Sequence, residues 1–274
     1  MRLIELSNHP GDQLRKLQQE RETAEAQTRS DYQEALARHG RDLAELHQRR
    51  DTARAQHRWW AWLRWAVAVG RVRRAVPPPA RVISSTSARE ESIKAGIEGE
   101  QQVASRLGQV LGDDWVLLRG YRNRSGEIDH LLLGPRGLVA IESKHHSTTV
   151  HCDGDKWWFD KYDKYGNHVG RGMLEDGGGR SPSQQLNEPA SALEGFLASR
   201  RQPVPVQRVV LLTHPRSRLG THRNPTVGIA TSTGEVVSLL NDSQATLDPP
   251  QLRRVEDLIV RDHQFHQSRR GPRR

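Results

Sequence analysis

The hydrophobic positions change their spacing several times along this chain, and each change predicts a different element. Residues 127–144 hold two aliphatic runs, Leu131-Leu132-Leu133 and Leu138-Val139-Ala140-Ile141, separated by Gly134-Pro135-Arg136-Gly137. Short apolar runs bounded by turn residues predict strands. Pro presets φ and Gly tolerates φ > 0, so the pair reads as a hairpin. Further runs predict strands over 115–118, 150–159 (a pair turning at Gly154), 207–213 and 227–230, and a strand or short helix over 236–240. Helical spacing takes over at Val103, Leu107, Val110 and Leu111, in a helix opening near residue 95. It returns at Leu186, Ala190, Leu193 and Leu197, after a Ser181-Pro182 start suited to a first turn, and at Leu252, Val255, Leu258 and Ile259 over 249–262. The polar stretch 119–125 and the glycine-rich stretch 160–179 read as connections, the second long enough to be functional or disordered. The order helix, strands, helix, strand, helix gives a mixed α/β domain.

The first 76 residues follow another pattern. Residues 10–57 are rich in Gln, Glu, Arg and Ala, with sparse apolar positions at Leu14, Leu17, Leu36, Leu43 and Leu46. One or two long helices are predicted, with Ser30-Asp31-Tyr32-Gln33 as a candidate restart and Gly40 as a weak point. The partial heptads fit either a short coiled coil that forms a homodimer or a solvated helix packed on its own domain. Trp59-Trp60-Ala61-Trp62-Leu63-Arg64-Trp65 then concentrates four of the seven Trp residues, followed by Arg71, Arg73 and Arg74. Eleven helical residues span roughly 16 Å, short of the ~30 Å of a hydrocarbon core. Docking or dimer contact ranks first for this segment, and peripheral membrane contact second. Pro77-Pro78-Pro79 and the Ser-rich stretch after it read as a linker over 77–92, with a boundary near residue 88. The second domain is placed at 93–262, and the basic stretch 263–274 reads as a tail.

Composition narrows the partners. A formal net charge of +9 and a pI near 10.3 favour a polyanion, nucleic acid or an anionic membrane surface. One cysteine, Cys152, excludes an internal disulfide and a thiolate-built zinc site, and fits a reducing cytoplasm. His145, His146 and His151 beside Cys152 and Asp153 match no closed zinc motif.

The chemistry converges on the hairpin. Asp129, Glu142 and Lys144 interrupt strands that otherwise look buried, and a charge in a core strand needs a partner or a metal. Glu142 and Lys144 are two apart, so their side chains leave the same face, while Ile141 and Ser143 leave the other. Pairing across the turn brings Asp129 towards Glu142. Two carboxylates beside an ammonium suit a hard divalent cation and phosphate chemistry; a buried salt bridge in a scaffold is the bland alternative. Glu100 lies beside the apolar stripe of its helix, where it is either a site carboxylate or a solvated first-turn residue, and Gly96 and Gly99 leave room for another backbone.

Gly96-Ile97-Glu98-Gly99-Glu100, Gly126-Glu127-Ile128-Asp129-His130, Gly134-Pro135-Arg136-Gly137 with Ile141-Glu142-Ser143-Lys144, Gly154-Asp155-Lys156-Trp157 and Pro182-Ser183-Gln184-Gln185, in this order, resemble the nuclease-related domain (NERD) family, over about residues 93–240. That family is similar to the PD-(D/E)XK nuclease superfamily. The resemblance implies a restriction-endonuclease-like mixed sheet flanked by helices, here preceded by the N-terminal helical arm. It implies Mg²⁺, with Mn²⁺ as a substitute, held by Asp129, Glu142 and the Ser143 carbonyl, with Glu100 adding a carboxylate directly or through water. Lys144 would orient or activate the attacking water, and Gln185 would contact water or phosphate. The expected activity is phosphodiester hydrolysis of nucleic acid, DNA favoured. Arg124, His145, His146, Lys161, Lys164, Arg171 and Arg180 are the candidate nucleic-acid contacts. The competing readings are a non-cleaving nucleic-acid binder and a membrane- or partner-tethered assembly protein built on the same scaffold.

Overall fold

The computed structural model describes residues 1–79, 87–241 and 246–269. They divide into two compact units, residues 1–12 with 91–274 and residues 13–90. In chain order the elements are strand β1 (Arg2–Glu5), helices α1 (His9–Ala55), α2 (Trp59–Arg74) and α3 (Ala88–Val110), and strands β2 (Val116–Asn123), β3 (Gly126–Gly134), β4 (Gly137–Lys144), β5 (Thr149–Asp153), β6 (Lys156–Tyr162) and β7 (His168–Met173). Helix α4 (Pro182–Ser199), strands β8 (Val206–Leu212), β9 (Arg218–Arg223) and β10 (Gly228–Ala230), and helices α5 (Thr233–Asn241) and α6 (Pro249–Ser268) follow.

The larger unit is built on a six-stranded sheet of order β1-β2-β3-β4-β8-β10. β2, β3 and β4 are antiparallel, while β1, β8 and β10 run parallel to their neighbours. This is the mixed sheet expected. The predicted hairpin is β3–β4, closing at Gly134 opposite Gly137. Strand alternation sends Leu118, Leu131, Ala140 and Val210 to one core with Leu186, Ala190 and Leu193 of α4 and Val255 and Ile259 of α6. Leu117, Leu132, Val139 and Leu211 go to the other, with Val103 and Leu107 of α3 and Val236 of α5. Each of these Leu, Val and Ile side chains, fully buried, contributes about 1.5–3 kcal/mol. Helices therefore cover both faces, and the ends of the strands are left for chemistry.

Several elements differ from the sequence reading. Residues 119–123 are strand, not connection. Tyr121 and Asn123 are buried because their polar atoms find partners on the covering helices: the Tyr121 hydroxyl donates to Asp262 Oδ2 at 2.5 Å, and Asn123 Nδ2 to the Pro189 carbonyl at 2.8 Å. The stretch 160–179 is not one loop. It completes β6 and supplies β7, in a second sheet of order β7-β6-β5-β9. Gly172 is a strand glycine there because the Phe159 ring occupies the space a Cβ would take. Strands β1 and β9 have no apolar run to announce them. Residues 236–240 are helix, α3 starts at Ala88 inside the stretch read as linker, and α6 continues to Ser268. The space around Gly96 is open; a Cβ at Gly99 would meet the side chains of Thr213 and His145, not a backbone. Residues 80–86 of the linker and 270–274 of the tail lie outside the described residues.

In the smaller unit α1 is a single helix that runs through both Ser30 and Gly40. Ala53 and Val69 are buried, and the Arg49 guanidinium lies 5.2 Å from the Trp65 ring centre. Trp59 and Trp60 are 62% and 87% exposed. Among the described residues no helix is long and apolar enough to cross a membrane.

Candidate active site

The site forms where the ladder of the central sheet comes apart. β3 and β4 pair from Gly134–Gly137 to His130–Ile141 and then separate. On the other side of β3 the register passes from Arg119–His130 to Tyr121–Ile128, leaving Gly120 and Asp129 out of the pairing. Gly120 has φ +68°, and the Ser7 carbonyl stands where its Cβ would be, so only glycine fits. The break shifts the alternation, since Ile128 and Leu131, three apart, enter the same core. Asp129 then takes over from a missing strand partner: its Oδ2 accepts the Ser143 N–H at 2.8 Å.

Beyond the break β4 continues along β8, with Glu142 opposite Val210 and Lys144 opposite Leu212. Glu142 and Lys144 leave the same face, as their spacing predicts. Lys144 Nζ donates to Glu142 Oε1 at 2.6 Å and to Gln185 Oε1 at 2.9 Å. Gln185 is held at the start of α4, where Ser181 and Gln184 form a capping box. Its Nε2 donates to the Arg180 carbonyl at 2.7 Å. Glu100 arrives on α3 and accepts from Arg119 Nη2 at 3.1 Å. Two motifs buttress one another behind the site: Trp157 Nε1 donates to Ser183 Oγ at 3.1 Å, and Ser183 Oγ donates to Asp155 at 2.7 Å.

The electrostatics show how tightly these groups are gathered. Burial raises the Asp129 carboxyl well above the usual carboxylate range; Glu142 and Glu100 push it further, against the pull of Lys144 and the Ser143 N–H. Burial raises Glu100 too, opposed by Arg119 and reinforced by Glu127 and Glu142. For Lys144 burial acts downwards, but the Glu142 and Asp129 carboxylates outweigh it and the ammonium ends above its ordinary value. His130, buried and near Arg119, is pushed down to about 3.

The structure thus brings Glu100, Asp129, Glu142, Lys144 and Gln185 together. Arg180 joins them through Gln185 while paired with Asp176 at 2.8 Å. His145 and His146 follow Lys144 directly; His145 meets Thr213 at 3.0 Å and His146 packs on Phe159. Arg124 sits in the β2–β3 turn. Lys161 and Arg171 lie on the second sheet and Lys164 in its β6–β7 turn, Arg171 facing Asp160 at 3.9 Å. The histidines do not converge on Cys152, whose buried thiol donates to the Gly154 carbonyl and is pushed up to about 11, mainly by burial. Among the described residues no group of three or more His, Cys, Asp and Glu side chains is disposed to hold a metal ion. Two residues escaped the sequence reading. Arg119, read as connection, pairs with Glu100, and Glu127 pairs with Arg122. Arg119 and Arg122 lie on the part of β2 that was not read as strand; Glu127 lies on the recognised β3 but stands opposite Arg122.

A mixed sheet flanked by helices, with acidic groups and a lysine at the parted ends of two strands, defines a nuclease-like class of domain. Residues 95–213 match the nuclease-related domain family, and the chain carries such a domain, related to the PD-(D/E)XK nucleases. No curated protein and no solved structure matches the chain.

Proposed function

We propose that this protein is a Mg²⁺-dependent nuclease that hydrolyses phosphodiester bonds, with DNA as its favoured substrate. The observation that carries the reading is the convergence of Asp129, Glu142, Lys144 and Gln185 at the break between β3 and β4. The donor set fits a hard cation, since Asp129, Glu142 and the Ser143 carbonyl offer oxygen only. These groups would hold Mg²⁺, or Mn²⁺ in its place, with Glu100 adding a carboxylate directly or through water. A bound ion there would supply Lewis acidity and lower the pKa of its water. Lys144, bonded to Glu142, would serve as a point charge towards a phosphate oxygen and would orient or activate the water. Gln185 would act as a positioning residue, since its Oε1 accepts from Lys144 and its Nε2 donates to the Arg180 carbonyl. His145, His146, Arg124 and Arg180 would meet phosphates near the site, and Lys161, Lys164 and Arg171 would extend the contact over the second sheet.

One observation favours a second reading. The charges already satisfy one another, Lys144 with Glu142 and Arg119 with Glu100, as they would in a non-cleaving nucleic-acid binder. Incubating the full chain with labelled single-stranded, double-stranded and branched DNA separates the two. The nuclease reading expects cutting with Mg²⁺ or Mn²⁺ and none with EDTA; binding without cutting by the folded protein under every metal condition supports the second.

We place the nuclease domain from α3 to α6, after a linker that begins at residue 77, and assign the protein to the cytoplasm on its single, buried cysteine. The exposed Trp59 and Trp60 support a homodimer through α1 and α2, with peripheral membrane contact second.

A further inference from the structure

The largest cavity among those described lies away from the carboxylates. It is an open groove of about 1150 Å³ between the second halves of α4 and α6, with Asn123 and Arg124 also in its lining. Its position is set by the sheet. The β2–β3 turn that carries Arg124 is at the same strand end as Asp129, three residues into β3. The groove therefore opens on the site end of the sheet and runs along α4 away from Gln185.

Four arginines line it: Arg124, Arg200, Arg261 and Arg269. None of the four is in an ion pair among the described residues, unlike Arg119, Arg122, Arg180 and Arg208. The one carboxylate of the lining, Asp262, is already engaged by the Tyr121 hydroxyl and faces His266 at 3.5 Å. Two rings complete the groove. The Arg200 guanidinium lies 5.5 Å from the Phe196 ring centre, and that of Arg269 lies 4.3 Å from the centre of Phe265, which is 50% exposed. A cationic channel with one exposed ring, Phe265, beside the half-buried Phe196 is complementary to a chain of phosphates whose bases are free to stack. A duplex offers the phosphates but keeps its base faces inside its own stack. The volume also exceeds the ~300–1,000 Å³ typical of small-molecule pockets, so an extended ligand suits it better than a mononucleotide.

We infer that the groove between α4 and α6 binds a single-stranded segment of nucleic acid and leads it to or from the carboxylate site. The destination of the strand rests on the nuclease reading; the binding does not. Arg124, at the site end, takes the phosphate nearest the chemistry. Arg200, Arg261 and Arg269 track the backbone, and Phe265 stacks on a base.

The test is fluorescence anisotropy of the full chain in EDTA, with labelled oligothymidylate of about 12 nucleotides, within the ~4–16 that single-strand sites span, and with a blunt duplex of equal length. The single strand is expected to bind tighter than the duplex. Phe265→Ala is expected to weaken single-strand binding about tenfold, with duplex binding unchanged. Phe265→Tyr keeps a ring and is expected to keep the affinity, which separates stacking from a folding defect. Arg261→Gln and Arg269→Gln are each expected to reduce the salt slope for the single strand by about 0.7. Arg136→Gln, in the β3–β4 turn at the opposite end of the sheet, controls for general basic charge and is expected to leave the slope unchanged. Equal affinity of Phe265→Ala and wild type, or equal effects of Arg136→Gln and the groove variants, would overturn the inference. Because EDTA silences cutting, that result leaves the nuclease reading standing. Intact groove binding with no metal-dependent cutting would instead remove the nuclease reading and leave the groove.

Discussion

Lys144 is the residue on which the site balances. Among the described residues it is the one ammonium bonded to Glu142, and its field offsets the crowding of Asp129 by Glu142 and Glu100. Removing it leaves largely buried carboxylates without their cation, which costs about 3–5 kcal/mol when a buried pair is broken. Lys144→Ala is therefore expected to lower the unfolding midpoint in urea as well as to stop cleavage. Lys144→Met fills the same volume without the charge and is expected to lose cleavage equally. Gln185 acts through Lys144. Gln185→Ala is expected to lower the cleavage rate about 10²-fold or less, a smaller loss than Lys144→Ala, in single-turnover kinetics. At this scale much was legible from spacing alone. Period-2 geometry puts Glu142 and Lys144 on one face, and the structure agrees at 2.6 Å. Arg119 was not legible, because its partner Glu100 is nineteen positions away on another element and nothing local marks the pair.

The elements explain where the site forms. Gly120 and Asp129 fall out of the β2–β3 pairing together, so the strand break and the first carboxylate are one feature. Gly120→Ala must displace the Ser7 carbonyl and adopt φ +68° with a Cβ, a combination expected to cost roughly 1–3 kcal/mol in chemical denaturation and to reduce cleavage by moving Asp129. At the far end of the hairpin, Gly134 packs under the Trp115 ring. Gly134→Ala is expected to destabilise the fold while a refolded fraction retains its cleavage chemistry. The short strand β1 is fastened by His263 of α6. Its Nε2 meets the Leu6 carbonyl and its Nδ1 accepts the Arg122 N–H, each at 3.1 Å. Burial, and to a lesser degree Arg122, holds this imidazole below its ordinary value, against the Leu6 carbonyl and Glu127. The unfolded chain then takes up the proton first. The stability His263 contributes is complete above its unfolded pKa of about 6.5 and is lost as pH falls towards the folded value. The difference in melting temperature between wild type and His263→Gln is expected to shrink between about pH 7 and pH 5. Strands without an apolar run, β1, β7, β9 and the end of β2, were not legible, because distant partners satisfy them. Tyr121 needs Asp262 and Asn123 needs Pro189, and neither bond has a local signature. The β3–β4 hairpin and the α4 start were legible, because their turn and cap chemistry is local.

At the scale of the molecule, a net charge of +9 is spread over a nuclease-related domain and a helical unit, and nucleic-acid affinity is expected to fall steeply with salt. The smaller unit presents Trp60 almost fully to solvent. If α1 and α2 form a homodimer, Trp60→Asp is expected to shift sedimentation from dimer to monomer while leaving the single-turnover cleavage rate intact. A monomeric wild type would remove the dimer from the account. The most direct test of the central claim compares the folded full chain with Asp129→Ala and Lys144→Ala, on the labelled DNA that the wild type cuts best in Mg²⁺. The account expects each variant to lose at least about 10²-fold in rate while still binding the substrate in EDTA. Cutting at the wild-type rate by either variant, once its fold has been verified by circular dichroism, would contradict it.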